Sequence, residues 1–337
     1  MGNLIIDTTL EHWQRGRKTR RANGGWLSGN AVCCTHRGET PDKRGRGGII
    51  VDGNKISFNC FNCHFSCGYT IGGPLGVKFQ KLLEWLGVDH NMMVLLRFEA
   101  MKSANDAAEA AEQIAKTVEP LIEIPLPDES VLLADVIKDF PEHADYLTSR
   151  GFAVSDYPFF VTHNQQLRMH RRVILPFMRD GLIIGNTARA INDMIRPKYL
   201  RTLKSPYVFG IDTQRPNWEW TIVVEGEFDA LAVAGLGIGG NEISDDQAEL
   251  IEKTGKRPIV VGDSDAGGLL LIQEAADRGW AVSFPEWGCD RAGRPIKDLN
   301  AAVLEYGRLA VTKHIIDMAT ANPVTISIKK KLLSRAK

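Results

Sequence analysis

The 337-residue sequence lacks several features that would each indicate a class of protein. It has no apolar run of the roughly 18 or more residues that a membrane-spanning helix needs. Its N-terminus lacks the basic-then-apolar pattern of a signal peptide. The Gly-x4-Gly-Lys-Ser/Thr phosphate loop of helicases is absent. Together these absences predict an intracellular, cytoplasmic protein without a membrane span and without its own helicase motor.

The sequence also has no net charge, because Lys plus Arg and Asp plus Glu both number 41. The charges are nevertheless segregated into blocks. Residues 1–80 hold eleven basic against five acidic residues, and residues 168–204 hold nine against two. Residues 219–252 hold nine acidic residues and no basic one. Such blocks suit a protein that holds a polyanion and metal ions in different places.

Cysteine is scarce outside one short stretch, since five of the six cysteines lie within residues 33–67. Cys33-x2-His36 is followed after 23 residues by Cys60-x2-Cys63. Each pair has the spacing that places two ligands on one tight turn, and two such turns complete a tetrahedral Cys3His zinc site. With no position left open, one structural Zn²⁺ is expected, and this segment should need it to fold.

Three further residues leave alternatives open at the zinc site. Cys34 could replace Cys33, and His64 or Cys67 could compete for the fourth position. The segment between the two ligand pairs is predicted to form a hairpin that turns at residues 52–54, which is the shape of a zinc ribbon.

Two short apolar runs in the second half of the chain end in carboxylates. Residues 222–224 lead into Glu225, and residues 259–262 lead into Asp263 and Asp265. β-Branched runs of this kind are typical of buried parallel strands, whose carboxyl ends meet at one edge of a sheet. Carboxylates gathered there would repel one another unless cations were bound, and Mg²⁺ or Mn²⁺ prefers such oxygen ligands. Asp229 lies one helical turn beyond Glu225 and could face the same site.

The basic block before the acidic stretch is rich in strand-forming residues. Strand patterns over residues 173–177 and 182–185 flank a turn at Asp180-Gly181. Basic residues and one Tyr at the strand ends suit a nucleotide triphosphate or a nucleic-acid backbone. The candidates are Arg189, Lys198, Tyr199, Arg201 and Lys204.

These motifs resemble those of a known family. Cys33-x2-His36-x2-Glu39-Thr40-Pro41 with Phe58-x-Cys60-Phe61-x-Cys63 resembles the zinc-binding domain of bacterial and phage DNA primases, although Cys34 stands where Pro is usual and His64 where Gly is usual. The strand-hairpin-Arg-Pro-Lys-Tyr-Leu order resembles the N-terminal half of the DnaG-type polymerase domain. Residues 225–231, Asp263-x-Asp265-x-Gly267 and Lys297-Asp298-Leu299-Asn300 resemble a TOPRIM domain, most closely that of phage primase–helicases.

The resemblance implies an α/β (α+β overall) fold and a division of the chain. The expected parts are a basic N-terminal arm (1–32), a zinc-binding domain with a following helix (33–104), a linker (105–130), an N-terminal polymerase subdomain (131–218), a TOPRIM subdomain (219–312) and a basic C-terminal tail (313–337).

The resemblance also implies an activity, which is the synthesis of RNA primers on single-stranded DNA from ribonucleoside triphosphates by two-metal nucleotidyl transfer. Glu225, Asp263, Asp265 and Asp298 would hold Mg²⁺, and Glu225 could instead assist proton transfer. Asp229 and Lys297 would complete the catalytic set, and the five basic-block residues would hold triphosphate and template. A separate replicative helicase is the expected partner. The alternatives are a TOPRIM nuclease and a non-catalytic, zinc-dependent single-strand-binding or recruitment protein.

Overall fold

The computed structural model describes residues 3–15, 17–114, 122–203, 206–263, 265–296 and 298–335. The chain divides into two compact units, Met1–Glu119 and Pro120–Lys337. Their boundary falls inside the predicted linker 105–130, but the helix before it continues to Ile114. Helices and sheets are mixed in both units, which confirms the predicted fold class. None of the helices in the described ranges has the length and apolar character needed to cross a membrane.

The first unit is built on a five-stranded antiparallel sheet with its strands in sequence order. The strands are β1 (Arg20–Arg21), β2 (Leu27–Gly29), β3 (Gly47–Asp52), β4 (Lys55–Cys60) and β5 (Ser66–Thr70). The helices are α1 (Leu4–Gln14), α2 (Val77–Trp85) and α3 (His90–Ile114). β3 and β4 form the predicted hairpin, with Asp52 paired to Lys55 and Gly53 at a φ of 57° in the turn. That positive φ explains why glycine stands there.

The prediction of a basic arm over residues 1–32 was wrong. Residues 4–14 form α1, in which Ile5 and Trp13 are fully buried. The Asn3 side chain caps this helix by accepting from the backbone N–H groups of Ile5 and Ile6, and the Trp13 indole donates to the carbonyl of Leu27 at 3.0 Å. The apolar face of α1 packs in the core of the unit, whereas the prediction rested on the basic residues that follow this helix.

The second unit contains two five-stranded sheets. The first is antiparallel and comprises β6 (Ser130–Leu132), β7 (Phe160–Thr162), β8 (Arg172–Arg179), β9 (Leu182–Ala190) and β10 (Tyr199–Leu203). The short helix α4 (Pro141–Ser149) lies between β6 and β7 in the chain. The predicted hairpin at Asp180-Gly181 joins β8 to β9.

The other sheet is mostly parallel, in the order β12-β11-β13-β14-β15. Its strands are β11 (Trp220–Val224), β12 (Leu236–Gly237), β13 (Arg257–Val260), β14 (Ala281–Ser283) and the antiparallel β15 (Ala319–Thr320). Its helices are α5 (Glu227–Val233), α6 (Asp245–Glu252), α7 (Ala266–Arg278), α8 (Leu299–Tyr306), α9 (Arg308–Asp317) and α10 (Pro323–Arg335).

The order of these strands determines where a site can form. β11 has β12 on one side and β13 on the other, so the chain leaves β11 and β13 toward opposite sides of the sheet. A crevice opens at the carboxyl ends of two strands where the order reverses in this way, and ligands of open α/β sheets bind there. Glu225 follows β11 and Asp263 follows β13, so both predicted strand ends face this crevice.

The prediction of a tail over residues 313–337 was also wrong. The segment contributes the end of α9, the edge strand β15 and the helix α10. Ile326 of α10 is buried, and Lys330 donates from Nζ to the Gln273 side chain of α7 at 2.6 Å. The many lysines of α10 concealed a helix that is amphipathic enough to cover α7.

Candidate metal centres and their surroundings

The carboxylates predicted at the strand ends lie together at the crevice. The backbone N–H of Asp263 donates to the Glu225 carboxylate at 3.3 Å, which joins the ends of β11 and β13. The charges of Asp263, Asp265 and Asp229 raise the pKa of Glu225. The charge of Asp298 raises the pKa values of Asp229 and Asp263. The structure therefore brings five of the six predicted catalytic residues into one acidic cluster, defined here as Glu225, Asp229, Asp263, Asp265 and Asp298.

Two members of the acidic cluster also cap helices. One Asp265 oxygen accepts the backbone N–H of Gly268 at 2.9 Å, at the start of α7. One Asp298 oxygen accepts the N–H of Ala301 at 2.8 Å, at the start of α8. An N-cap carboxylate satisfies one of the otherwise unpaired helical N–H groups. Each cap uses one oxygen of its carboxylate, which holds the second oxygen in a fixed orientation.

A close backbone approach positions Asp263. A Cβ atom on Gly268 would lie 1.9 Å from the Asp263 carbonyl oxygen, and one on Gly262 would lie 2.5 Å from the Gly268 carbonyl oxygen. Any side chain at Gly268 would therefore displace the backbone that carries Asp263. A Cβ atom on Gly267, the glycine of the Asp263-x-Asp265-x-Gly267 motif, would lie 3.2 Å from Asp265 Oδ1, which is a tight contact but less severe than the one at Gly268.

The protonation of the acidic cluster reflects its crowding. Burial, followed by the charge of Asp263, raises the pKa of Glu225 to about 7. The same two causes raise the pKa of Asp229 to about 6. Partial burial and the charges of Asp265 and Asp298 also raise the pKa of Asp263, although its side chain remains open to solvent. Neighbouring like charges favour the binding of protons or cations, and carboxylate oxygens are ligands that Mg²⁺ prefers.

One carboxylate oxygen of Asp229, Oδ1, is buried without a hydrogen-bond partner in the described part of the chain. Leaving a buried carboxylate oxygen unpaired costs free energy unless a cation or a proton is bound. Asp229 thus lies within the acidic cluster, as its helical spacing from Glu225 predicted.

We expect the acidic cluster to bind divalent cations more tightly as the pH rises. Raised pKa values mean that Glu225 and Asp229 are protonated in the folded protein at pH 5.5 and charged at pH 8. Their repulsion therefore destabilises the fold as the pH rises from about 4 through 7, and a cation relieves it. Thermal unfolding with and without Mg²⁺ should show a larger Mg²⁺-induced rise in Tm at pH 8 than at pH 5.5. A Glu225→Gln/Asp229→Asn variant should lose most of that difference, and an unchanged difference would contradict this interpretation.

Basic residues line the opposite side of the acidic cluster. Lys198 is exposed and lowers the pKa of Asp263, while the Arg189 charge and burial lower the pKa of Lys198 itself. Arg189 is buried beside Asp229, and Tyr199 orients it by accepting from its guanidinium and stacking 4.5 Å from it. The predicted residues Arg189 and Lys198 therefore lie beside the acidic cluster, and Tyr199 contacts Arg189.

Arg150 is a basic residue of the site that the sequence reasoning missed. Its guanidinium lies 5.1 Å from the Phe228 ring centroid and lowers the pKa of Asp229. Asn300 holds the Arg150 backbone by donating to its carbonyl at 3.0 Å. Arg150 ends a helix in the sequence pattern, so only its place in the fold shows that it faces the acids.

Arg172 is a second missed residue, and it acts on the backbone. It is fully buried and donates to the carbonyls of Pro197 at 2.6 Å and Lys198 at 3.2 Å. These bonds hold the segment that presents Lys198 to Asp263. The doublet Arg171-Arg172 in the sequence gave no sign that one member would be buried.

The remaining predicted site residues have different outcomes. Arg201 forms an ion pair with the buried Glu227 and donates to the Gly239 carbonyl, so its guanidinium is held at the start of α5. Lys204 and Lys297 lie outside the described residues.

The first unit carries a separate sulfur cluster. The Sγ atoms of Cys33, Cys34, Cys60 and Cys63 all lie within 4.8 Å of one another and could hold a metal ion. Cys33 and Cys63 are 3.3 Å apart, and Cys34 and Cys60 are 3.6 Å apart. Tetrahedral Zn²⁺ with bonds of about 2.3 Å places its sulfur ligands about 3.8 Å apart.

The prediction of His36 as a zinc ligand was wrong. His36 is exposed and stacks on Trp85 with ring centroids 5.0 Å apart. Cys34, foreseen only as a substitute for Cys33, joins it instead, because Cys34 begins a helical turn and both side chains can reach one point. The Asn62 amide donates to Cys34 Sγ at 3.2 Å, which supports a thiolate there. His64 and Cys67 are not members of the cluster.

Comparisons with known proteins find similarity only among solved structures. No family model matches the chain, and no curated protein matches it. The RNA polymerase domain of Mycobacterium tuberculosis primase DnaG is 18% identical over 58% of this chain and 82% of its own, with a TM-score of 0.47. The Aquifex aeolicus primase, with zinc-binding and RNA polymerase domains, is 18% identical over 94% of this chain and 86% of its own, with a TM-score of 0.37. Both of these structures are of primases.

Proposed function

We propose that the protein is a DNA primase, which joins ribonucleotides into short RNA primers on single-stranded DNA. The observation that carries this proposal is the acidic cluster at the crevice between β11 and β13, faced by Arg150, Arg189 and Lys198. Phosphoryl transfer requires carboxylates that bind metal ions and, facing them, basic side chains that bind phosphate.

The chemistry follows from this arrangement. The 3′-oxygen of one nucleotide bonds to the α-phosphorus of the next, the bond to the β-phosphate oxygen breaks, and pyrophosphate leaves. Glu225 can take the proton of the 3′-hydroxyl, because burial raises the pKa of this carboxyl above its usual range and so strengthens it as a base. Mg²⁺ held by the acidic cluster would stabilise the negative charge of the attacking and leaving oxygens. Lys198, Arg189 and Arg150 orient the triphosphate and neutralise it.

The cysteine cluster supports the same proposal from the first unit. Four thiolates without an open position are typical of structural Zn²⁺. We infer that zinc fixes the turns that follow β4 and precede β3. A sheet held in this way can present residues to a single-stranded template, and the basic content of residues 1–80 suits that role. A separate helicase as partner stays a prediction.

A TOPRIM nuclease shares the acidic cluster and is the second candidate. Cleavage also uses metal-bound carboxylates, so the acids alone do not separate the two activities. The cations facing the acids favour polymerisation, because a triphosphate brings several more negative charges than a phosphodiester does. A relict, non-catalytic site is less favoured, because the Oδ1 atom of Asp229 is buried without a hydrogen bond in the described part of the chain, and a bound cation would offset that cost.

A ribonucleotide-incorporation assay tests the proposal. The full chain with Mg²⁺ or Mn²⁺, the four ribonucleoside triphosphates and varied single-stranded templates should yield short RNA that depends on the template. A matched reaction with labelled DNA and no nucleotides reports nuclease activity. If the protein cleaves DNA but makes no RNA, the nuclease function replaces the proposal. If it forms neither product, the protein is a binding protein without these activities.

We expect Arg150→Ala to reduce kcat/KM for the incoming triphosphate by about 10- to 100-fold. The loss of one charge-assisted contact to phosphate costs about 1.5–3 kcal/mol. Steady-state kinetics of RNA synthesis measures the change. Arg257→Ala is the matched control, because Arg257 is exposed and pairs with Glu219 away from the acids. Equal effects of the two substitutions would show that Arg150 does not bind the triphosphate.

A further inference from the structure

A cavity of about 330 Å³ lies beside the acidic cluster, between the loop after β14 and the helix α10. Asp263 and Asp298 form one side of it. The rest of the wall is mainly apolar and aromatic and includes Phe284, Trp287 and Leu332, with Ser283, Glu286 and Lys329 as its polar members. A small apolar cavity with a few convergent polar groups is the usual form of a small-molecule site.

Ser283 gives the cavity an unmet polar contact. Its hydroxyl is buried and has no hydrogen-bond partner within the described part of the chain. A buried hydroxyl without a partner is costly and is uncommon in native proteins. Ser283 is one of the residues that line the cavity, so a ligand with a polar edge would bring a hydrogen-bonding group toward this hydroxyl.

Two aromatic residues suit a flat ligand. Phe284 and Trp287 both line the cavity, and the Lys329 ammonium lies 5.4 Å from the Phe284 ring centroid. Bases stack on aromatic side chains in many nucleic-acid-binding proteins. A heterocycle with hydrogen-bonding edges would therefore meet stacking surfaces as well as the Ser283 hydroxyl.

The position of the cavity assigns it to one of two substrates. Joining two nucleotides requires one site for the triphosphate that is attacked and another for the nucleotide that supplies the 3′-hydroxyl. The phosphate-binding cations Lys198 and Arg189 act on Asp263 and Asp229 and are not part of the cavity wall. The cavity contacts the acids without those cations, so it suits the substrate that needs no triphosphate.

We propose that this cavity holds the base of the nucleotide whose 3′-hydroxyl attacks, which at initiation is the first nucleotide of the primer. The inference rests on the proposed function. With its base between Phe284 and Trp287, the ribose lies toward Asp263 and Asp298, where its 3′-oxygen bonds to the α-phosphorus and pyrophosphate leaves. Holding the nucleophile there converts a bimolecular encounter into a positioned reaction.

A ribonucleoside 5′-monophosphate probes the cavity selectively. It has a base and a 3′-hydroxyl but no triphosphate, so it can only be the first nucleotide of a product. The full chain, a template that supports synthesis, a 5′-monophosphate and one α-labelled triphosphate yield a labelled dinucleotide. This assay gives a separate KM for each nucleotide.

Leu332→Trp should raise the KM for the monophosphate at least tenfold and change the KM for the triphosphate less than twofold. Leu332 is 60% exposed on α10, so a larger side chain narrows the cavity without disturbing the core. Trp287→Ala, which removes a stacking surface, should act in the same direction. Ile328→Trp is the matched control, since Ile328 is 55% exposed one turn earlier on α10 and is not part of the cavity wall.

The outcomes separate this inference from the proposed function. If neither substitution changes the monophosphate KM, or if both KM values rise equally, the assignment of the cavity is overturned. Saturation-transfer NMR of monophosphate binding gives a second readout that needs no catalysis. If the protein makes no dinucleotide but binds the monophosphate, and Leu332→Trp weakens that binding, then polymerisation and the attacking role are rejected. The cavity would still be a nucleotide-binding site. An active protein without such binding would reject the cavity alone.

Discussion

Asp263→Asn and Asp265→Asn are each expected to reduce RNA synthesis by at least about 1,000-fold, which corresponds to about 4 kcal/mol of transition-state stabilisation. Both residues lie in the acidic cluster, and each substitution removes a negative charge that a metal ion requires. Primer synthesis on a productive template, measured over several Mg²⁺ concentrations, provides the test.

Asparagine is chosen because it separates catalysis from folding. Asp265 caps α7, and asparagine is as good an N-cap as aspartate, whereas alanine would cost about 0.5–2 kcal/mol of stability. Thermal unfolding of Asp265→Asn without metal should therefore show no loss of stability relative to the native chain. Asp245→Asn is the matched control, because Asp245 is an exposed aspartate in the first turn of α6. Activity within about threefold of the native level in either cluster variant would contradict the assigned metal site.

Cys34→Ser is expected to lose bound zinc and to unfold the sheet of the first unit. A serine hydroxyl does not ionise near neutral pH, so three thiolates would remain for a four-coordinate ion. The binding free energy of structural zinc, about 10–16 kcal/mol in small zinc domains, contributes directly to folding. Metal analysis by mass spectrometry should give one zinc per native chain and a substoichiometric amount in the variant, with limited proteolysis now cutting within residues 33–70.

His36→Ala is the matched control for this experiment. His36 lies two residues beyond Cys34 but stacks on Trp85 outside the cluster, so its removal should leave one zinc bound and cost only about 0.5–1.5 kcal/mol of packing. Zinc retained in Cys34→Ser but lost in His36→Ala would restore the Cys3His arrangement that the sequence suggested.

The acidic strand ends could be predicted from sequence because each stage of the inference was local. A β-branched run predicts a buried strand, and carboxylates directly after it are placed at the strand end by chain connectivity alone. Glu225, Asp263 and Asp265 lie at these positions in the structure. The hairpin at Gly53 was equally accessible, because its turn needs a residue that tolerates a positive φ.

Other features depended on contacts between distant segments. Arg150 and Asn300 are 150 positions apart in the chain, and nothing near Arg150 indicates that it faces the acids. Arg201 and Lys198 look alike in sequence, yet Arg201 pairs with Glu227 and Lys198 faces Asp263. Cys34 joins Cys33 in the sulfur cluster, and His36 lies outside it, because of the path of a single turn, which ligand spacing does not determine.

The two helix caps have a consequence for the order in which substrates bind. The N-termini of α7 and α8 carry Asp265 and Asp298, so two helix dipoles direct their positive ends, each about half an elementary charge, at the acidic cluster. Without cations, five carboxylates outweigh these dipoles and the local field repels a polyphosphate. Once cations neutralise the carboxylates, the dipoles and Lys198 reverse the sign of that field. Cation and triphosphate binding are then thermodynamically linked, and each should strengthen the other by the same factor.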